Sequence, residues 1–104
     1  MKTFQTQADF LKAFPIKDGI VNLEYNSVIL LFNLDIPRIN IINAHNINAH
    51  NIDARDIKAQ NINAWDIIYY AVCFAHINIV CKSIVGIRKN AKHFCLYGQI
   101  TIEA

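Results

Sequence analysis

Four histidines and three cysteines are the residues in this chain best equipped for chemistry. Cys73, His76 and Cys81 come nearest to a ligand spacing. Zinc asks for four soft or imidazole donors in a tetrahedral set, however, and the sequence has neither a Cys-x-x-Cys pair nor an evident fourth ligand. No metal and no cofactor is therefore expected. Nucleophilic chemistry is no better supported. There is no Gly-x-Ser-x-Gly elbow, no glycine-rich phosphate loop, and no pair of carboxylates set apart in apolar surroundings. The chain does not read as an enzyme. An odd number of cysteines without framework spacing reads as reduced thiols, which places the protein in the cytoplasm.

The elements that would position these residues follow from a repeat. Ala44-His45-Asn46-Ile47-Asn48 is followed by Ala49-His50-Asn51-Ile52-Asp53, then by units beginning at Ala54, Ala59 and Ala64. The period is five. One column of large aliphatics runs from Ile42 through Ile47, Ile52, Ile57, Ile62 and Ile67 to Val72 and Ile77. A second, two residues later, holds Ala44, Ala49, Ala54, Ala59 and Ala64, and widens to Tyr69, Phe74 and Ile79 at one end and to Ile39 and Leu34 at the other. Asn or Asp precedes each central isoleucine.

A period of five fits neither the helical 3.6 nor the strand 2.0. Five residues turn a helix by about 500°, which spreads the isoleucines around its circumference. A flat strand sends alternate ones to opposite faces. A short extended segment with Ile and Ala both inward, followed by a corner, satisfies both columns. The chain must coil, and its turns must stack at the ~4.8 Å strand spacing. Asn and Asp suit the corners because their side chains bond nearby backbone, and stacked Asn forms ladders.

These Asn/Asp-Ile-x-Ala-x units resemble the pentapeptide-repeat proteins over roughly residues 34–79. The order differs from the family pattern, because here the isoleucine precedes the alanine by two. The resemblance implies a short quadrilateral parallel β-helix with about twenty residues per coil. On such a coil Asp56 would stack beside His76, and Asp53 beside Cys73 and His93. Some members of the family mimic duplex DNA with acidic outer faces and occupy the DNA site of topoisomerases.

The flanks read as caps, giving one domain with a cap over residues 1–26, coils over 27–81 and a C-terminal β cap over 82–104. Thr6-Gln7-Ala8-Asp9 is a capping box that opens a helix through Phe14, and Pro15 stops it. Val28 to Phe32 reads as a strand leading into the first coil, and His93 to Ile102 as a final strand.

The free outward positions, His45, His50, Arg55, Gln60, Trp65 and Tyr70, are the places where a repeat protein displays its contacts. His45 and His50 point one corner apart and do not converge as ligands. Charge is uneven: residues 1–66 carry six basic and seven acidic side chains, net −1, whereas residues 67–104 carry four and one, net +3. Lys82, Arg88, Lys89 and Lys92 gather at this end. Four cations without interleaved aromatics form a weak nucleic-acid signature, so direct nucleic-acid binding is not expected. The partner-contact candidates are thus His45, His50, Arg55, Trp65, Tyr70, Arg88, Lys89 and Lys92.

Composition bounds the rest. A chain of 104 residues, 54% hydrophobic and 17% charged, is one folded domain. Its longest run without a polar residue, Ile67 to Ala75, is too short for the ~20 residues of a spanning helix, and no secretory signal is visible. The expected function is a non-enzymatic protein-binding module, homo-oligomeric, of the kind a phage or mobile element uses to inhibit a nucleic-acid enzyme such as a CRISPR effector or a topoisomerase. The alternative is a structural β-helix that assembles with itself.

Overall fold

In a computed structural model that describes residues 2–103, the chain coils into a parallel β-solenoid of about five turns. The strands are β1 (Lys2–Phe4), β2 (Ile20–Asn22), β3 (Val28–Leu30), β4 (Leu34–Ala49), β5 (Asn51–Asn63), β6 (Asp66–Cys81), β7 (Ser83–Gly86), β8 (Lys92–Cys95) and β9 (Ile100–Ile102), with one helix, α1 (Gln7–Ala13), near the start. Every strand pairing between these elements is parallel. The three long strands each bend around most of a turn. No helix among the described residues is long and apolar enough to cross a membrane.

The period of five sets the central turn. Ile47 stands in register with Ile62, and Ile52 with Ile67, so three pentapeptides close one circuit there. Each turn carries three paired segments, fewer than the four implied by the resemblance. The first strip stacks Leu34–Ile36 on Ile52–Ala54, Ile67–Tyr69 and Ile84–Gly86. The second stacks Ile20–Asn22, residues 40–41, 56–59 and 72–75, and β8. The third runs from β1 through β3, residues 46–48, 61–63 and 79–81, to β9. Other turns are longer, since Leu34 pairs with Ile52 and Ile62 with Ile79.

Both inward columns are buried from Ala44 to Tyr69: Ile47, Ile52, Ile57, Ile62 and Ile67 in one, and Ala44, Ala49, Ala54, Ala59, Ala64 and Tyr69 in the other. Beyond Tyr69 the register slips by one residue, and Ala71, Cys73 and Ala75 fill the interior. Val72 and Phe74 are left half-buried and Ile77 is exposed, contrary to the column read from sequence. A similar slip buries Ile41 in place of Ile42. Ile79 and Cys81 rejoin the core, which contains no buried polar or charged residue among those described.

The Asn and Asp before each isoleucine tie neighbouring turns together. The Asn61 amide donates to Asn46 Oδ1 at 2.8 Å, the Asp66 N–H donates to Asn51 Oδ1 at 3.2 Å, and the Val72 N–H donates to Asp56 Oδ1 at 3.1 Å. Asn43 takes a positive φ of 55° at a corner, a conformation asparagine tolerates better than most residues.

The two ends differ. At the start, Thr6 caps α1 by accepting the Asp9 N–H at 3.2 Å, and the helix lays Phe10 and Phe14 over the open interior. Phe10 packs edge-on to Phe4 at 5.5 Å and tilts against Phe32 at 6.4 Å, which closes that end with aromatic surface. At the other end the expected single strand from His93 to Ile102 is two strands, β8 and β9, separated by a corner. Together with β7 they form a last turn that pairs with β6 on one side only among the described residues.

Candidate binding corner and exposed last turn

A turn of fifteen residues sorts the outward repeat positions into three corners. His45 shares a corner with Gln60, His50 with Trp65, and Arg55 with Tyr70, because each pair is one central turn apart. The six positions therefore form three short stacks.

At the corner between the third and first strips, the His50 ring lies flat on Trp65, with centroids 4.7 Å apart and planes at 6°. Lys82 Nζ sits 5.7 Å from the Trp65 ring centroid. Both neighbours of the indole are thus supplied by the chain itself, although Trp65 remains 53% exposed. At the corner between the second and third strips, Tyr25, Asn43, Lys58, Gln60, Phe74 and His76 line a groove of about 400 Å³, and Phe74 stacks edge-on with His76 at 4.9 Å. His45 lies exposed on this corner and its N–H donates to the Asn26 carbonyl at 3.1 Å.

The remaining corner, between the first and second strips, is the most distinctive. Arg38 lies between residues 34–36 and 40–41, Arg55 one turn on, Tyr70 on the next, and Arg88 on the last. The Arg88 N–H donates to the Tyr70 carbonyl at 2.9 Å, which fixes its place in the row. These are all three arginines of the chain. The Arg55 guanidinium lies 5.8 Å from the Tyr70 ring centroid, and Tyr70 is 41% exposed. Pro37, Arg38, Asp53, Ala54, Arg55, Tyr70 and Ile87 line a groove of about 480 Å³ here. Asp53 stands in register with Asp35, and burial, followed by the Asp35 charge, raises its carboxyl above the usual range. Lys89 and Lys92 extend the basic row through the exposed turn into β8.

The chemistry-bearing residues are dispersed. Asp56 stands in register with Val72, not beside His76, and Asp53 with Ile68, not beside Cys73; the twenty-residue coil that would have joined them is not formed. Cys73 is in register with His93, yet it is buried, and burial first, then the Cys81 and Cys95 thiols, push its own thiol up to about 12. Burial also raises the thiols of Cys81 and Cys95. Thiols held protonated in this way are poor nucleophiles. Among the described residues no three His, Cys, Asp or Glu side chains gather around a point that a metal ion would fill.

Sequence reasoning placed Trp65 and Tyr70 outward but did not find the rest of the outer surface of the last two turns. Ten of the thirteen exposed large hydrophobics lie at or after Trp65, among them Ile68 and Val85 on the first strip, Phe94 on the second, Tyr97 at 82% exposure, and Ile102 on the third. Earlier turns present Asp35 and Asp53 in register with Ile68 and Val85, and Lys58 in register below Phe74 and Phe94. The signal was present as isoleucine and valine between inward positions, but it was masked by the aliphatic column that seemed to continue through it.

The chain matches no protein-family model, no curated protein and no solved structure.

Proposed function

We propose that this protein is a non-catalytic protein-binding module that engages its partner through the outside of its last two turns. The observation that carries this reading is the switch from polar to apolar outer faces after Trp65, beside Lys82, Arg88, Lys89 and Lys92. Exposed aromatic and aliphatic side chains with arginine nearby are what the buried centre of a protein interface is made of. Within the same reading, the repeat is a pentapeptide-like variant on a three-strip turn, and the three free cysteines fit a reducing cytoplasm. We also carry forward the narrower proposal of a phage or mobile-element inhibitor of a CRISPR effector or topoisomerase. The net positive charge of residues 67–104 favours contact with a protein surface over imitation of a DNA duplex.

Affinity capture from bacterial lysate with the intact chain and a Phe94→Ser, Tyr97→Ser variant tests the module. A partner retained by the first and lost by the second supports it; identical captures from both defeat it. Adding the purified chain to effector or topoisomerase cleavage assays tests the narrower proposal, which fails if cleavage is unaffected at a large molar excess.

A second reading rests on the free strand edges of β7, β8 and β9, which offer unpaired backbone groups to another copy. Homo-oligomerisation through this end is then the structural role. Light scattering across a hundredfold concentration range decides it: a constant monomer mass removes this reading.

A further inference from the structure

We infer that the arginine corner is a docking groove for an acidic peptide segment of the partner protein. This inference rests on the binding-module reading and adds the chemistry of what is bound. A chain with seven lysines and three arginines has put every arginine on one of its three corners, on the second, third and fifth turns, with Tyr70 filling the fourth. Arginine differs from lysine in presenting a planar fork that takes a carboxylate through two parallel hydrogen bonds. At the ~4.8 Å spacing of stacked strands, Arg38 to Arg88 spans about 14 Å, the reach of four or five extended residues.

The groove is shaped for a peptide more than for a uniform polyanion. Pro37, Ala54, Tyr70 and Ile87 give it an apolar floor and wall on which aliphatic or aromatic side chains can rest. Arg55 already lies over one ring, and guanidinium groups stacked on aromatic faces keep their in-plane donors free for a carboxylate. Asp53 is the feature that separates the ligand classes. It lines the groove, with Asp35 in register one turn earlier, so a nucleic-acid backbone, with a phosphate at every step, meets a negative charge beside Arg38 and Arg55. A peptide meets the same carboxylate with a backbone N–H and still places its own acidic side chains on Arg38 and Arg55.

The test is fluorescence anisotropy of a fluorescein-labelled decaglutamate peptide titrated with the full chain at low salt, beside a labelled oligothymidylate of equal length. Decaglutamate is expected to bind, and Arg38→Gln with Arg55→Gln to weaken it about tenfold or more, the scale of losing one charge-assisted contact. Arg55→Lys, which keeps charge without the fork, should fall between, and Lys58→Gln, on a different groove, should leave affinity unchanged. Matching thermal midpoints of the variants establish that they fold. The inference is overturned if decaglutamate does not bind, if the double variant binds it as well as the parent does, or if oligothymidylate binds more tightly. Partner capture that depends on Phe94 and Tyr97 but not on the arginines would leave the module reading standing without this groove.

Discussion

The side-chain amide of Gln7 takes both outward backbone groups of Asp35: Oε1 accepts the Asp35 N–H at 2.8 Å and Nε2 donates to its carbonyl at 3.2 Å. Residues 34–36 are the uppermost segment of the first strip, so one glutamine does there what a whole strand does for its neighbours. It sits in the first turn of α1, and the helix is thus fastened to the sheet edge as well as to the aromatic interior.

Replacing Gln7 with Ala removes both bonds and bares that edge. With each net hydrogen bond contributing roughly 0.5–1.5 kcal/mol, stability should drop by about 1–2 kcal/mol. Gln7→Glu keeps the acceptor, loses the donor and should fall between. Thermal unfolding measures the loss, and hydrogen exchange at the Asp35 amide should quicken.

Tyr69 is buried in the last turns, with its hydroxyl 2.6 Å from Nδ1 of His93. His93→Ala strands that hydroxyl without a partner and should cost about 1–3 kcal/mol. In a Tyr69→Phe background the same change should cost much less, because nothing polar is left unpaired. A double-mutant cycle by denaturant unfolding gives the difference directly.

Stability should decline with alkali. The Cys73 thiol rises from 9.0 to about 12 in the folded chain, so between those values the unfolded chain has released its proton and the native chain has not. The unfolded state is favoured increasingly as pH climbs. Stability is full below pH 9 and should fall by on the order of 1 kcal/mol per pH unit above it. Tyr69, raised chiefly by burial, adds to the decline above pH 10. Cys73→Ala should flatten the slope measured by urea titration from pH 8 to 11.

Ile52 is buried, so Ile52→Asp places an unpaired charge in the coil interior and should abolish cooperative folding. His50→Ala, two residues away, loses only its stacking on Trp65 and should cost about 0.5–1.5 kcal/mol. Trp65 is the sole tryptophan, so its emission reports both changes.

An added Cβ at Gly98 would overlap the Ile77 carbonyl. Gly98→Ala should therefore loosen β9 while leaving the turns before it folded. Limited proteolysis should cut the variant near residue 98, with residues 2–86 protected.

The sequence made the coil legible because five consecutive units repeat Ile and Ala at fixed places, and those side chains are buried from Ala44 to Tyr69. What it hid lies on either side: Ile41 is buried in place of Ile42, and the facing changes again from Ala71 on. Val72 and Ile77 continue the aliphatic period, but one extra corner residue moves Ala71, Cys73 and Ala75 inward instead. Hydrophobic identity reports facing only where the outer face is polar, and here it is not. The arginine row was hidden for a related reason. Arg38, Arg55 and Arg88 are 17 and 33 residues apart, so no fixed period aligns them, and only the differing turn lengths do. The capped start, by contrast, was plain from Thr6, Asp9, Phe10 and Phe14.

The register has a consequence for synthesis. In the centre every strand finds its partner fifteen to eighteen residues earlier in the chain, and the capped end is the end that leaves the ribosome first. Each emerging turn meets a finished template and closes only a short loop upon it, so assembly can proceed one storey at a time without waiting for a distant segment. The storey that bears Phe94 and Tyr97 forms after the ones it rests on, and its contact surface is absent until residues 92–102 have been made.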